Sequence, residues 1–129
     1  INYYLKKAKL AIFPSIFDNF PYVVLESMCA GKYIICSDNM GISSIVKKDE
    51  KNYIFKSSSY KDLSEKILSF YKKNLPFINY NNSIIVQNEC NRNLVCDKMK
   101  EYYKLAICNY NLKNDYIPSE QETKLFLIV

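Results

Sequence analysis

The sequence predicts an α/β fold: a parallel sheet with flanking helices, followed by helices towards the C-terminal end. Three observations predict it. Leu10 to Phe13 is a short apolar run closed by Pro14, the pattern of a strand buried on both faces. Tyr33 to Cys36 is a second such run, and the helical segment Pro21 to Ala30 lies between the two. A strand–helix–strand unit of this kind implies parallel pairing through a right-handed crossover. A length of 129 residues suits one compact domain able to bury a core, and 49% hydrophobic with 24% charged residues is ordinary for a globular protein.

Taken in order, Ile1 to Ala8 reads as the tail of a helix with Tyr4 and Leu5 inward. Pro14 and Ser15 end the first strand, and Ile16 to Phe20 forms a loop. Pro21 fits a first helical turn, where its lacking N–H costs nothing. The helix that follows is apolar almost all round (Val23, Val24, Leu25, Met28, Cys29, Ala30), which predicts burial rather than an amphipathic surface helix. Gly31 closes it as a left-handed cap. The chain has only two glycines, and the second, Gly41, precedes a short helical turn ending at Val46. Tyr53 to Phe55 is a third short strand. Ser59 with Asp62 three residues on is a capping pair, opening a helix to Lys73 with Tyr60, Leu63, Ile67 and Phe70 or Tyr71 on one face. Pro76 and the Asn-rich run from Asn79 to Asn82 mark a break. Ile84 to Asn91 is a weaker helix. Leu94 to Cys108 is a stronger one with Val95, Met99, Tyr102 and Ala106 in a stripe, its tyrosines read as core. Residues 109–129 are expected to form a loosely attached tail.

The net charge of +5 invites a nucleic-acid or membrane reading. All the basic residues except Arg92 are Lys, however, and they are scattered rather than interleaved with stacking aromatics. Nucleic acid is therefore not the expected partner. The lysines read as solvated faces, with attraction to an anionic membrane surface or substrate as the lesser reading. The five cysteines form no C-x-x-C pair and the chain has no His, so a Cys/His zinc site is excluded. Cys29 and Cys36 sit in apolar runs and read as small core residues. Reduced thiols, no signal peptide and no apolar run near the roughly 20 residues of a membrane span point to a cytoplasmic protein. The chain opens on Ile1 rather than Met, and we expect it to be a piece of a longer protein.

The chemistry concentrates between Phe13 and Gly41. Asp18 lies on the loop and Glu26 is the one charge in the apolar helix. A carboxylate there is costly to bury unless something pairs with it. A ribose or sugar diol suits it, because an ionised carboxylate only accepts and two hydroxyls both donate. The start of the Pro21 helix offers unpaired N–H groups to a phosphate or diphosphate. Open α/β sheets place ligands at strand ends of this kind. Together these describe a nucleotide-sugar site.

This stretch resembles the C-terminal domain of GT-B glycosyltransferases of the family 4 (group 1) type. Their pattern runs P-S-x-x-E-G-F-P/G-x-x-x-x-E-A-M-A-x-G-x-P-V-x-x-S-x-x-G-G, and Pro14, Ser15, Phe20, Pro21, Glu26, Met28, Gly31, Ser37 and Gly41 stand at matching places. The likeness is specific over residues 10–46 and weakens towards residue 108, which sets the expected donor-binding domain at 1–108. It implies a partial Rossmann-like sheet and a retaining transfer, of the hexosyl type, from a nucleoside-diphosphate sugar to a glycan or lipid-linked acceptor. Glu26 would bind the ribose and Asp18 the donor sugar. The backbone around Asn19, Phe20, Val24 and Leu25 would approach the sugar and diphosphate, with Ser15, Pro21 and Gly41 completing the donor site.

The chain also departs from the pattern. The first family Glu is Asp18, the Gly after it is Asn19, and Met40 replaces the first glycine of the later pair. A family Pro is Tyr33 and a later family Gly is Tyr53. The family's diphosphate-binding Arg and Lys and its acceptor domain fall upstream of Ile1. The chain by itself is therefore expected to be inactive and, with an open sheet edge, to self-associate. A non-catalytic module that binds a nucleotide sugar or a partner is the alternative. Glu26 as a plain surface residue, Asp18 and Ser15 as turn formers and Gly41 as purely conformational are the competing readings.

Overall fold

The computed structural model describes residues 2–114, which divide between Glu89 and Cys90 into two units. The first unit runs α1 (Asn2–Lys7), β1 (Leu10–Phe13), α2 (Tyr22–Cys29), β2 (Tyr33–Ser37), α3 (Ser43–Val46), β3 (Tyr53–Phe55), α4 (Tyr60–Lys72) and α5 (Tyr80–Glu89). The strands form a parallel sheet in the order β1-β2-β3, with Leu10 opposite Tyr33 and Ile35 opposite Tyr53. This is the α/β, partial Rossmann-like arrangement expected, and the helix between β1 and β2 makes the crossover.

The middle strand forms the core. Every residue of β2 is buried. Tyr33 and Ile35 point to one face, where Phe55 of β3 and Phe70 of α4 meet them and Leu10, Tyr53, Leu63, Ile67 and Leu75 close the margin. Ile34 and Cys36 alternate to the other face, on the side of α2, α3 and α5. The buried Val24, Met28, Val46 and Val86 come from those three helices. Strand β1 is less covered than predicted: at the sheet's edge its residues are only half-buried, with Ile12 exposed.

The local signals hold where they are strictly local. Gly31 has φ +68, the left-handed cap that ends α2. Ser59 caps α4 by accepting a hydrogen bond from the Asp62 N–H at 3.2 Å. Of the two candidates near the end of α4, Phe70 is buried, whereas Tyr71 and Tyr60 face solvent.

Other expectations are corrected. α2 buries only the face of Val24, Ser27 and Met28; Tyr22, Val23, Glu26 and Cys29 are exposed, because the sheet and α5 cover one side and nothing described covers the other. Cys29 is therefore not a core residue, although Cys36 is. Tyr4 is 75% exposed rather than inward. α5 starts at Tyr80, inside the predicted break and ahead of the predicted start at Ile84, because two residues of the Asn-rich run, Asn79 and Asn82, are structural. Asn82 is fully buried and pairs its amide reciprocally with Asn52, at 2.7 and 3.0 Å. In the second unit α6 (Arg92–Asn114) is longer than predicted, and its tyrosines Tyr102 and Tyr103 are exposed rather than core. No other element of that unit is described for its stripe to pack on. Of the predicted tail, residues 115–129 lie outside the described residues.

Candidate functional site

Parallel pairing brings the ends of β1, β2 and β3 to the same edge of the sheet. The loops that leave them are tied together through the backbone of the β1 loop. The Ser15 carbonyl accepts from the Ser37 hydroxyl at 2.6 Å, the Ile16 carbonyl from the Ser57 hydroxyl at 3.0 Å, and the Asp18 carbonyl from the Gly41 N–H at 3.0 Å. Asp18 and Met40 form an isolated parallel bridge at the same point. Gly41 is needed there for closeness and not for its dihedral angles: a Cβ on it would run into the Asn19 carbonyl oxygen.

The β1 loop delivers the chain to the start of α2. Pro21 is the N-cap, with φ −71 and ψ 116, and it supplies no side-chain cap and has no N–H of its own. No acid sits in the first turn. Among the described residues, the N–H groups of Asn19, Phe20, Tyr22 and Val23 have no hydrogen-bond acceptor. The Val24 N–H donates to the Pro21 carbonyl at 3.2 Å and its side chain is buried, while Leu25 is half-buried one position on. The free donors thus precede Val24 and Leu25, at a helix end whose partial positive charge is otherwise uncompensated.

The acids of this unit fall into two groups. Asp38, Asp49, Asp62 and Glu89 are committed to backbone or side-chain partners. The carboxylates of Asp18 and Glu26 accept no hydrogen bond and make no ion pair among the described residues. Glu50 and Glu65 are also free, but they lie on the turn before β3 and on the outside of α4. Asp18 is half-buried against the β2–α3 turn. Glu26 is exposed, contrary to the expectation of a buried charge, and lines a groove of about 250 Å³ with Leu5, Lys6, Ala30 and Lys32. Glu26 is therefore free to meet a ligand, in a groove whose other residues lead into β1 and β2 rather than at the strand ends with Asp18.

Phe20 is exposed and Pro21 and Ser15 are half-buried at the rim of the same loop. Cys29 is no rival as a nucleophile: burial, and then the negative charge of Glu26, push its thiol pKa up, away from the thiolate. Burial raises the Cys36 thiol to about 12, and a nearby Lys47 only partly offsets this.

The family model for glycosyl transferases group 1 matches residues 1–89, the whole of the first unit. The chain belongs to that family. Glycosyl transfer is accordingly its class of activity, and the resemblance read from residues 10–46 falls within the matched region. No curated protein and no solved structure matches the chain. Among the described residues, no helix is long and apolar enough to cross a membrane.

Within this group 1 domain, the sequence reading named the loop, the helix start and both acids, and the two carboxylates have no partner among the described residues. It missed Ser57, just past β3, which donates to the loop, and Asp38, just past β2, which accepts from the Ser57 N–H. Ser57 sits in a run of three serines whose only readable signal was the helix cap at Ser59.

Proposed function

We propose that this chain is the donor-binding part of a retaining glycosyltransferase that uses a nucleoside-diphosphate sugar. The observation that carries the reading is the uncapped start of α2 beside the uncommitted Asp18 carboxylate at the strand ends, with a second uncommitted carboxylate, Glu26, further along the same helix. The free N–H groups of Asn19, Phe20, Tyr22 and Val23 receive the diphosphate, so that no metal is required to neutralise it. Glu26 accepts from the ribose hydroxyls, and Asp18 accepts from the hydroxyls of the transferred hexose. Ser15 and Gly41 act on the donor through the backbone they fix, Gly41 by holding Asp18 and Asn19 in place.

Transfer to a glycan or lipid-linked acceptor takes place in the full-length protein, on the cytoplasmic side, with acceptor contacts supplied by a further domain. The chain alone is then a binding unit and not a competent enzyme. Calorimetric titration of nucleoside diphosphate into the full-length protein and into its Glu26→Ala variant tests this. An affinity loss of about tenfold or more is expected for one lost charge-assisted diol contact. Equal affinity of the two proteins contradicts the reading.

A further inference from the structure

We infer that Ser57, oriented by Asp38, is a positioning residue for Asp18; the inference rests on the donor-site reading above. Ser57 lies just past β3, and its hydroxyl reaches across 41 residues of sequence to donate to the Ile16 carbonyl at 3.0 Å. Its N–H donates to Asp38 Oδ1 at 2.8 Å, and the Asp38 N–H in turn donates to the Phe55 carbonyl at 2.9 Å. Asp38 therefore holds Ser57 with its side chain and Phe55, two residues before it, with its backbone.

The turn that carries Ser57 is held from behind by α4. The Asp62 carboxylate accepts from the Lys56 N–H at 2.7 Å, and the Ser59 N–H donates to the Lys56 carbonyl at 3.0 Å. Ser58 in this turn has φ +62, a conformation that a non-glycine residue keeps only where its surroundings enforce it. The hydroxyl thus projects from a braced turn onto a loop that has no secondary structure of its own.

The geometry gives the contact its role. Three ties hold the loop that carries Asp18: Gly41 on the Asp18 carbonyl, Ser57 on the carbonyl two residues earlier, and Ser37 on the Ser15 carbonyl, Ser57 being the nearest on the side before Asp18. Its carboxylate has no side-chain partner to aim it among the described residues. The direction of that carboxylate is set by the backbone alone, so freeing one anchor lets it swing without unfolding the domain. Ser57 is half-buried, but its hydrogen bond to Ile16 lies at the surface and contributes little to the core.

Two readouts in the full-length protein test this. In Ser57→Ala, amide hydrogen exchange of the segment 16–19 should quicken by about three- to tenfold, the loss of one hydrogen bond. The turnover number for sugar transfer should fall by about tenfold with the donor KM within twofold, as expected when a reacting group loses its orientation. Ser57→Thr keeps the hydroxyl and should restore both. Asp38→Asn keeps an acceptor for the Ser57 N–H and should resemble the parent, whereas Asp38→Ala should resemble Ser57→Ala. Unchanged exchange in Ser57→Ala overturns the contact, and faster exchange with unchanged turnover overturns the positioning role. A parent protein that binds no nucleoside diphosphate would sink the donor-site reading, while the exchange measurement would still decide whether Ser57 holds the loop.

Discussion

Two polar regions of the same unit differ in what their side chains have left to offer. Behind the sheet, Asp49, Asn52, Asn79 and Asn82 are buried and direct their side-chain polar atoms, Asn79 Oδ1 apart, to one another and to the backbone. Asn52 Oδ1 accepts from the Ile34 N–H at 2.9 Å, its amide nitrogen donates to the Val46 carbonyl at 3.1 Å, and Asn82 donates to the Lys32 carbonyl at 2.6 Å. Asn79 donates to Asp49 at 2.9 Å, and Asp49 also accepts from the Lys51 N–H. Along the β1 loop and α2, the Asp18 and Glu26 carboxylates and the first N–H groups of the helix have no partner among the described residues. The first region is an adhesive between α5, α3 and β2. The second is a set of unspent acceptors and donors, which is what a polar ligand requires.

The contrast can be broken most forcefully from the buried side. Asn82→Ala should cost about 3 kcal/mol or more, because it opens a cavity and strands Asn52 and the Lys32 carbonyl without their partner. Chemical denaturation of the parent and variant measures this, and a change below about 1 kcal/mol would mean that water replaces the amide pair.

A smaller effect of opposite sign is expected nearby. Tyr33 and Tyr53 each bury a phenol oxygen with no hydrogen-bond partner, the Tyr33 pKa being raised by burial and then by Asp49. These are the two positions where the sequence places Tyr against the family's Pro and Gly. Tyr33→Phe and Tyr53→Phe should each raise stability by about 1 kcal/mol, since an unpaired buried hydroxyl is removed with the ring left in place. Lower melting temperatures in both variants would show that the hydroxyls are satisfied by solvent.

What was legible in the sequence was what depends on neighbours along the chain. The Gly31 cap, the Ser59–Asp62 pair, the three short strands and the proline before α2 are all one-turn signals. What was not legible depends on which faces the fold happens to cover. The apolar composition of α2 implied full burial, yet only Val24, Ser27 and Met28 have a surface to pack on, so Glu26 and Cys29 emerged exposed. The Asn-rich run read as a break, because an amide's value as a buried pair exists only once Asn52 is brought opposite Asn82. Ser57 was invisible for the same reason: its partner Ile16 is distant in sequence and offers only a carbonyl. The site's acids could be named, but whether they were free could be learned only from the fold.

The central claim, that the free acids of the β1 loop and α2 serve a ligand and not the fold, is tested most directly by measuring unfolding free energy and nucleoside-diphosphate affinity together in Glu26→Gln. The structure predicts stability within about 0.5 kcal/mol of the parent, as for a surface change that breaks no contact, with affinity reduced by about tenfold or more. A variant that binds as tightly as the parent, or one whose weakened binding tracks a loss of stability, would contradict it.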